Sequence, residues 1–271
     1  MNGNNILNKI VAATSQNIAQ KKRQNPLNKL EQEINQKSKS KDLESCLQGE
    51  KIKLIAEIKR ASPSKGLFKS NLDITKLAQS YAQGGAAAIS VLTEPTFFLG
   101  SFVDLDMAKK AVDLPILCKD FILDPYQIYE ARACGADAIL LIAAILQEQQ
   151  LKSLVKLTHD LDMSALIEVH DENDITKALD ADARLIGINN RNLTDFSVNL
   201  ETTLRLRSLI PEYMVVVSES GIHSAADIAK LETAKINAIL VGEALVTSTK
   251  PADKIRELLG LIPIRQGEIS L

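Results

Sequence analysis

The chain has no tryptophan, three cysteines and few aromatic residues of any kind, 4% of its 271 positions. Cys46, Cys118 and Cys134 form an odd and sparse set without a C-x-x-C pair. That excludes a disulfide framework and the usual zinc spacings, and suits thiols in a reducing cytoplasm. The first ten residues, MNGNNILNKI, contain no apolar stretch of the signal-peptide kind. The longest apolar run, Ala138 to Leu146, stops at Gln147-Glu148 and is too short to span a bilayer. A surplus of one charge is missing too: 32 Lys and Arg stand against 34 Asp and Glu, a net charge of -2. Neither nucleic acid nor a membrane is therefore expected as a partner. No G-x-G-x-x-G turn occurs, which speaks against a dinucleotide-binding fold. A soluble, cytoplasmic protein is expected.

What is present is an ordinary globular mix, 45% hydrophobic and 24% charged. It carries a repeated grammar: a helix end with a small residue, a short β-rich apolar run, then a polar loop. The runs are Leu54–Ile58, Ala88–Leu92, Ile116–Cys118, Ala138–Ile142, Ala165–Val169, Leu185–Ile188, Val215–Val217 and Ile239–Gly242. Their near-continuous apolar character fits parallel strands covered on both faces. Stretches of helical period lie between them, among them Ile74–Tyr81, Pro125–Ala133, Leu151–His159, Leu200–Leu209 and Ala225–Leu231. Eight such units predict an α/β fold, a (β/α)8 TIM barrel. A doubly wound open sheet would usually have fewer strands and a glycine-rich nucleotide turn.

Residues 1–50 read as a helical extension. Ile6, Leu7, Ile10, Val11 and Ile18 suit one amphipathic helix; Leu27, Leu30 and Ile34 suit a second, with Pro26 as its starter. Their apolar stripes are too narrow to bury alone, so the extension is expected to pack on a barrel at 51–271 as one domain. Lys37 to Lys41 reads as a solvated connection.

Chemistry in such a barrel collects at the C-terminal strand ends. Side chains two apart on a strand share a face. Ile55, Glu57 and Lys59 have one parity, as do Leu117 and Lys119, Leu166 and Glu168, Gly187, Asn189 and Arg191, and Val217 and Glu219. One barrel mouth should therefore collect Glu57, Lys59, Lys119, Glu168, Asn189, Arg191 and Glu219. Burying so many ionisable groups is costly unless they pair and serve a site. After strands seven and eight, Ser220-Gly221 and Gly242-Glu243 let backbone N–H groups approach an anion, at the usual phosphate position of this fold.

These motifs carry a resemblance. Ile55-Ala56-Glu57-Ile58-Lys59-Arg60-Ala61-Ser62-Pro63-Ser64-Lys65-Gly66 resembles the first-strand signature of the indole-3-glycerol phosphate synthase family. Val91-Leu92-Thr93-Glu94, Phe98-Leu99-Gly100-Ser101, Cys118-Lys119-Asp120-Phe121-Ile122, Leu166-Ile167-Glu168-Val169, Gly187-Ile188-Asn189-Asn190-Arg191-Asn192-Leu193 and Ser218-Glu219-Ser220-Gly221-Ile222 follow in the family order. The resemblance implies an enzyme of tryptophan biosynthesis that uses no cofactor and no metal. Its substrate would be 1-(2-carboxyphenylamino)-1-deoxy-D-ribulose 5-phosphate, closed, decarboxylated and dehydrated to indole-3-glycerol phosphate. It further implies catalytic roles for Glu57, Lys59, Lys119, Glu168 and Asn189, with Lys119 as general acid. Ser62, Phe98, Phe121, Leu140, Arg191, Leu193 and Glu219 would bind substrate, and Ser220, Gly221, Gly242 and Glu243 its phosphate. Some members carry Gly-Ser where this chain has Gly242-Glu243, so the Glu243 backbone rather than its carboxylate is the expected phosphate contact.

Three histidines are set aside. His159 lies on a helix, His170 follows Glu168 by two but past the strand end, and His223 reads as a solvated loop residue. Cys118 has the parity opposite to Lys119 and should face the helices. Gly84-Gly85 reads as a helix C-cap. Rival readings are a related phosphate-binding barrel, such as phosphoribosylanthranilate isomerase, and an inactive scaffold barrel. The first lacks the Glu-Ile-Lys run; the second needs a missing catalytic group. The assembly expected is a monomer or a weak homodimer.

Overall fold

The computed structural model describes residues 4–69, 71–192 and 195–262. Eight parallel strands close on themselves: β1 (Lys53–Ile58), β2 (Ala88–Leu92), β3 (Ile116–Lys119), β4 (Ala138–Ile142), β5 (Ser164–Val169), β6 (Leu185–Asn189), β7 (Val215–Glu219) and β8 (Ala238–Val241). Closure runs through β1, whose Ile55 lies opposite Ala88 of β2 and Leu240 of β8. Three strands run further than their apolar stretches suggest. The ladders of β3, β6 and β7 continue through Lys119, Asn189 and Glu219, which places these polar residues on rigid backbone rather than in loops.

Alternation divides the strands into two layers. Ile55, Leu117, Leu140, Leu166 and Val217 fill the barrel interior. Leu54, Ile89, Cys118, Ile139 and Ile186 pack outward against the helices, so both faces are apolar. Cys118 thus turns away from the mouth. The helices Ile74–Gly84, Phe102–Ala111, Pro125–Ala133, Glu172–Asp180 and Ala225–Thr233 each begin at a capping side chain: Asp73, Ser101, Asp124, Asp171 and Ser224. These caps satisfy otherwise orphaned amides and end the loops of the mouth at defined points. Gly85, with φ of 99°, caps the helix Ile74–Gly84. Gly84 itself packs on the helix Pro251–Leu258, where an added Cβ would lie 3.0 Å from Ala252 backbone.

The N-terminal segment forms α1 (Asn4–Gln24) and α2 (Leu27–Ile34). Ile18 and Leu30 bury against Tyr126 and Ala133 of the helix Pro125–Ala133. Lys21 pairs with Glu130 and Lys22 with Asp124, both at 2.8 Å, and the Tyr126 hydroxyl donates to Asn25 O at 2.9 Å. A third, short helix, Leu43–Cys46, had no clear periodic signal. Asp42 caps it, and Leu43 and Leu47 seal the lower end of the barrel interior, each burial contributing roughly 2 kcal/mol. Among the described residues no helix is long and apolar enough to cross a membrane.

Asp137 ties this segment to the lower end of the barrel. Its buried carboxylate accepts from Lys41 N at 2.9 Å and Ile116 N at 2.8 Å, and pairs with the Lys109 ammonium at 2.6 Å. Asp137→Ala leaves two amides and an ammonium without their partner, and is expected to lower unfolding free energy by about 3 kcal/mol. Urea titration checks this: a lower midpoint at constant slope is the expected result, and an unchanged midpoint would contradict it.

Candidate active site

A cavity of about 410 Å³ opens at the C-terminal strand ends. Its polar floor is built from residues of one strand parity. The Lys119 ammonium lies 3.2 Å from Glu168 Oε2 and 3.3 Å from Glu219 Oε2. Lys59 donates to Glu57 Oε1 at 2.6 Å and stands 5.8 Å from the Phe68 ring centre. Glu57, Glu168 and Glu219 are all buried.

Burial works against each of these charges, and the neighbours decide the outcome. Burial alone would lower the Lys119 pKa, but the charges of Glu219, Glu168 and Glu57 hold it above the usual lysine value. Burial pushes Glu168 up, yet Lys119 and His170 outweigh it and keep its carboxyl below the ordinary range. Glu219 is pushed up to about 7, by burial first, while Lys119 opposes and the charges of Glu168 and Glu57 add to the rise. The floor therefore holds a firmly charged lysine, an ionised glutamate and a glutamate poised near neutrality.

Two glycines make room for these carboxylates. An added Cβ at Gly187 would sit 2.3 Å from Glu219 Oε1, and one at Gly242 would sit 2.4 Å from Glu57 Oε1. The loops above are held by their own polar contacts. Buried Glu94 accepts from the amides of Thr96, Phe97 and Phe98 at 2.9, 2.6 and 3.0 Å. It thereby folds the loop after β2 so that Phe98 meets Phe121, ring centres 5.9 Å apart. Asn190 accepts from Thr203 and donates to Ser218 Oγ, Glu219 O and Ser220 O, all within 3.1 Å. It locks the ends of β6 and β7 together. A hairpin of Ala61–Ser62 with Gly66–Leu67 follows β1, and Ser62 Oγ accepts from Lys65 N at 3.2 Å.

The expected site residues converge. Glu57, Lys59, Ser62, Phe98, Lys119, Phe121, Leu140, Glu168, Asn189, Arg191, Glu219, Ser220, Gly221, Gly242 and Glu243 all line this cavity. Leu193 lies outside the described residues. Asn189 Oδ1 accepts from Arg191 N at 3.0 Å, and the Arg191 guanidinium donates to Phe196 O at 3.2 Å. Ser220 and Gly221 have φ of 67° and 80°, a left-handed turn directly after β7. The Glu243 carboxylate is 3.5 Å from the Lys65 ammonium, so the acid beside the glycine loop has a counter-charge.

Other lining residues went unnoticed in the sequence. Ile6, Leu7 and Ile10 of α1 reach the cavity, with Phe196 and Val198 from the loop after β6. His170 needs a correction: although past the strand end, it is largely buried, with Nε2 3.3 Å from Glu168 Oε1. The i, i+2 relation to Glu168 was the available signal, since the β parity persists one step beyond the ladder. His223 is exposed on the cavity rim, and His159 lies on the helix Glu148–Asp160, away from the mouth. Among the described residues no group of three or more His, Cys, Asp or Glu side chains is arranged to hold a metal ion.

A closed (β/α)8 barrel whose mouth pairs lysines with glutamates defines an acid–base enzyme of the barrel class. A family model described as "Indole-3-glycerol phosphate synthase" matches residues 7–258, and the chain belongs to that family. A relative of that name from Dehalococcoides mccartyi (strain CBDB1) is 47% identical over 258 residues, 94% of this chain and 100% of its own. Another, from Carboxydothermus hydrogenoformans, is 53% identical over 210 residues, 77% of this chain and 80% of its own. A solved structure of a 3-hexulose-6-phosphate synthase superposes with a TM-score of 0.62 over 78% of this chain and all of its own, at 18% identity. That likeness speaks for the fold alone.

The Glu219 carboxyl gives a signed prediction. Its pKa in the folded chain, about 7, lies above the ordinary 4.5, so the folded state binds the extra proton. The stability this contributes is complete below about pH 4.5 and is lost as pH rises towards about 7. Urea midpoints at pH 5 and pH 8 should show the advantage of the wild type over Glu219→Gln shrinking with rising pH. A difference that stays constant, or grows, would contradict the assignment.

Proposed function

We propose that this chain converts 1-(2-carboxyphenylamino)-1-deoxy-D-ribulose 5-phosphate to indole-3-glycerol phosphate, carbon dioxide and water, a step of tryptophan biosynthesis. The observation that carries this reading is the buried Lys119 ammonium, held between Glu168 and Glu219 at the floor of the cavity. Ring closure needs an aromatic carbon to attack a ketone, and a donor to meet the charge that develops on the ketone oxygen. Lys119 is that donor. Its proton is held firmly by carboxylates, so transfer waits for an oxygen basic enough to take it. Glu168, kept ionised, stabilises positive charge developing at the anilino nitrogen.

The substrate carboxylate then leaves as carbon dioxide. Phe98, Phe121 and Leu140 wall this part of the cavity and keep water from it. The last step expels the hydroxyl as water and restores aromaticity by loss of a ring proton. Lys59 and Glu57, 2.6 Å apart, serve as the acid and base of that step. Asn189 and Arg191 orient the substrate, and Ser62 holds the first loop over it. Glu219, near neutrality, accommodates changes in proton count beside Lys119. The backbone around Ser220, Gly221, Gly242 and Glu243 receives the phosphate, with Lys65 offsetting the Glu243 carboxylate.

Indole fluorescence on mixing protein with substrate, without added metal or cofactor, tests the reaction. Lys119→Ala should fold normally and lose kcat by about 10²–10⁴-fold, the usual scale for a general acid. A stable Lys119→Ala protein with near-normal turnover would rule out that role.

A further inference from the structure

His170 sits between β5 and the first turn of the helix Glu172–Asp180. Its side chain is 14% exposed, with Nε2 3.3 Å from Glu168 Oε1 and Nδ1 3.6 Å from Asp174 Oδ2. Asp174 is itself fixed by backbone: its Oδ2 accepts from His170 N at 3.0 Å, and its own N donates to Asp171 Oδ1 at 2.9 Å. Neither ring nitrogen makes an aligned hydrogen bond, so charge rather than bond direction ties the imidazole to its neighbours. The other oxygen of Glu168, Oε2, faces Lys119. Glu168 thus meets an imidazole at one oxygen and an ammonium at the other.

The charges of the mouth give this arrangement a purpose. Glu57, Glu168 and Glu219 are three carboxylates, and Lys59 and Lys119 are two ammonium groups, all within one cavity. Lys65 and Arg191 add cations, and Asp120 and Glu243 add carboxylates, to the same lining; Glu168, buried with Glu57 and Glu219, gains from a cation at its second oxygen. We propose that His170, braced by Asp174, is a positioning residue for Glu168: it holds one carboxylate oxygen, offsets its charge from behind and leaves the other oxygen turned to Lys119. The groups facing it are Glu168 on β5, Asp174 on the following helix and Glu219 on β7, all acidic. Burial lowers its pKa, and these carboxylates more than offset it, so the imidazole holds its proton above the ordinary histidine value. The kinetic part of the inference rests on the ring-closure reading; the electrostatic part rests on geometry alone.

The test uses the full chain as His170→Asn and Asp174→Asn, with ¹³C-labelled glutamate and ¹⁵N-labelled histidine followed by NMR across pH. In His170→Asn, Glu168 should titrate about one unit higher, the scale set by loss of a nearby opposite charge. The acid limb of kcat should move by a similar amount, and kcat should fall about tenfold with KM nearly constant, the pattern of an interaction made in the transition state. In Asp174→Asn, the His170 imidazole should titrate at lower pH, drawing Glu168 part of the way upward. An unmoved Glu168 titration in folded His170→Asn protein overturns the proposal. So does a raised KM with kcat intact, which a merely structural prop predicts. If His170→Asn does not fold, Asp174→Asn decides: a shifted imidazole with an unmoved Glu168 overturns it. If the wild type forms no indole product, the ring-closure reading fails, while the NMR titrations still decide whether His170 governs Glu168.

Discussion

One ammonium between two carboxylates, Lys119 with Glu168 and Glu219, is the interaction on which the mouth of this barrel depends. A lysine buried so deeply would shed its proton without them, and either glutamate alone would be pushed towards neutrality. Together they keep three ionisable groups inside the barrel rim, each carboxylate within 3.3 Å of the ammonium. The arrangement is not a stability device, because a buried ion pair seldom outperforms an apolar packing of the same volume. What it achieves is preorganisation: the charges are already desolvated and already fixed in direction.

The rest of the mouth serves that geometry. Strands β3, β5 and β7 carry the three groups on one shared parity, so no loop has to find its place for them to meet. Glycine at 187 leaves the space that the Glu219 carboxylate occupies, and glycine at 242 the space of the Glu57 carboxylate. Glu94 and Asn190 each fix a loop by satisfying several backbone groups at once, which is how a short polar residue substitutes for secondary structure.

Much of this was legible in the sequence, and the reasons for the gaps are physical. Apolar runs under a two-residue period disclosed all eight strands and the shared face of Glu57, Lys119, Glu168 and Glu219. The same rule undershot at β3, β6 and β7, because a hydrogen-bonded ladder continues regardless of whether its last side chain is polar. His170 was passed over since it follows the strand, although the parity it inherits from Glu168 was visible. The reach of α1 into the cavity through Ile6, Leu7 and Ile10 could not be read at all. An apolar helical stripe declares that it will be buried, but not against what. The same ambiguity hid Leu43 and Leu47, whose spacing of four after Asp42 was the only trace of the lower plug.

That plug has a bearing on how the chain is made. Leu43 and Leu47 emerge from the ribosome before every strand they will touch, and their cluster includes Ala238 and Leu240 of the last one. They cannot be covered until the barrel's circle is complete. Contacts separated by nearly two hundred positions close slowly, and through that interval a greasy pair stands open to unintended partners. Circularly permuting the gene so that this stretch is synthesised last would let it enter a finished ring, and offers a direct handle on the order of assembly.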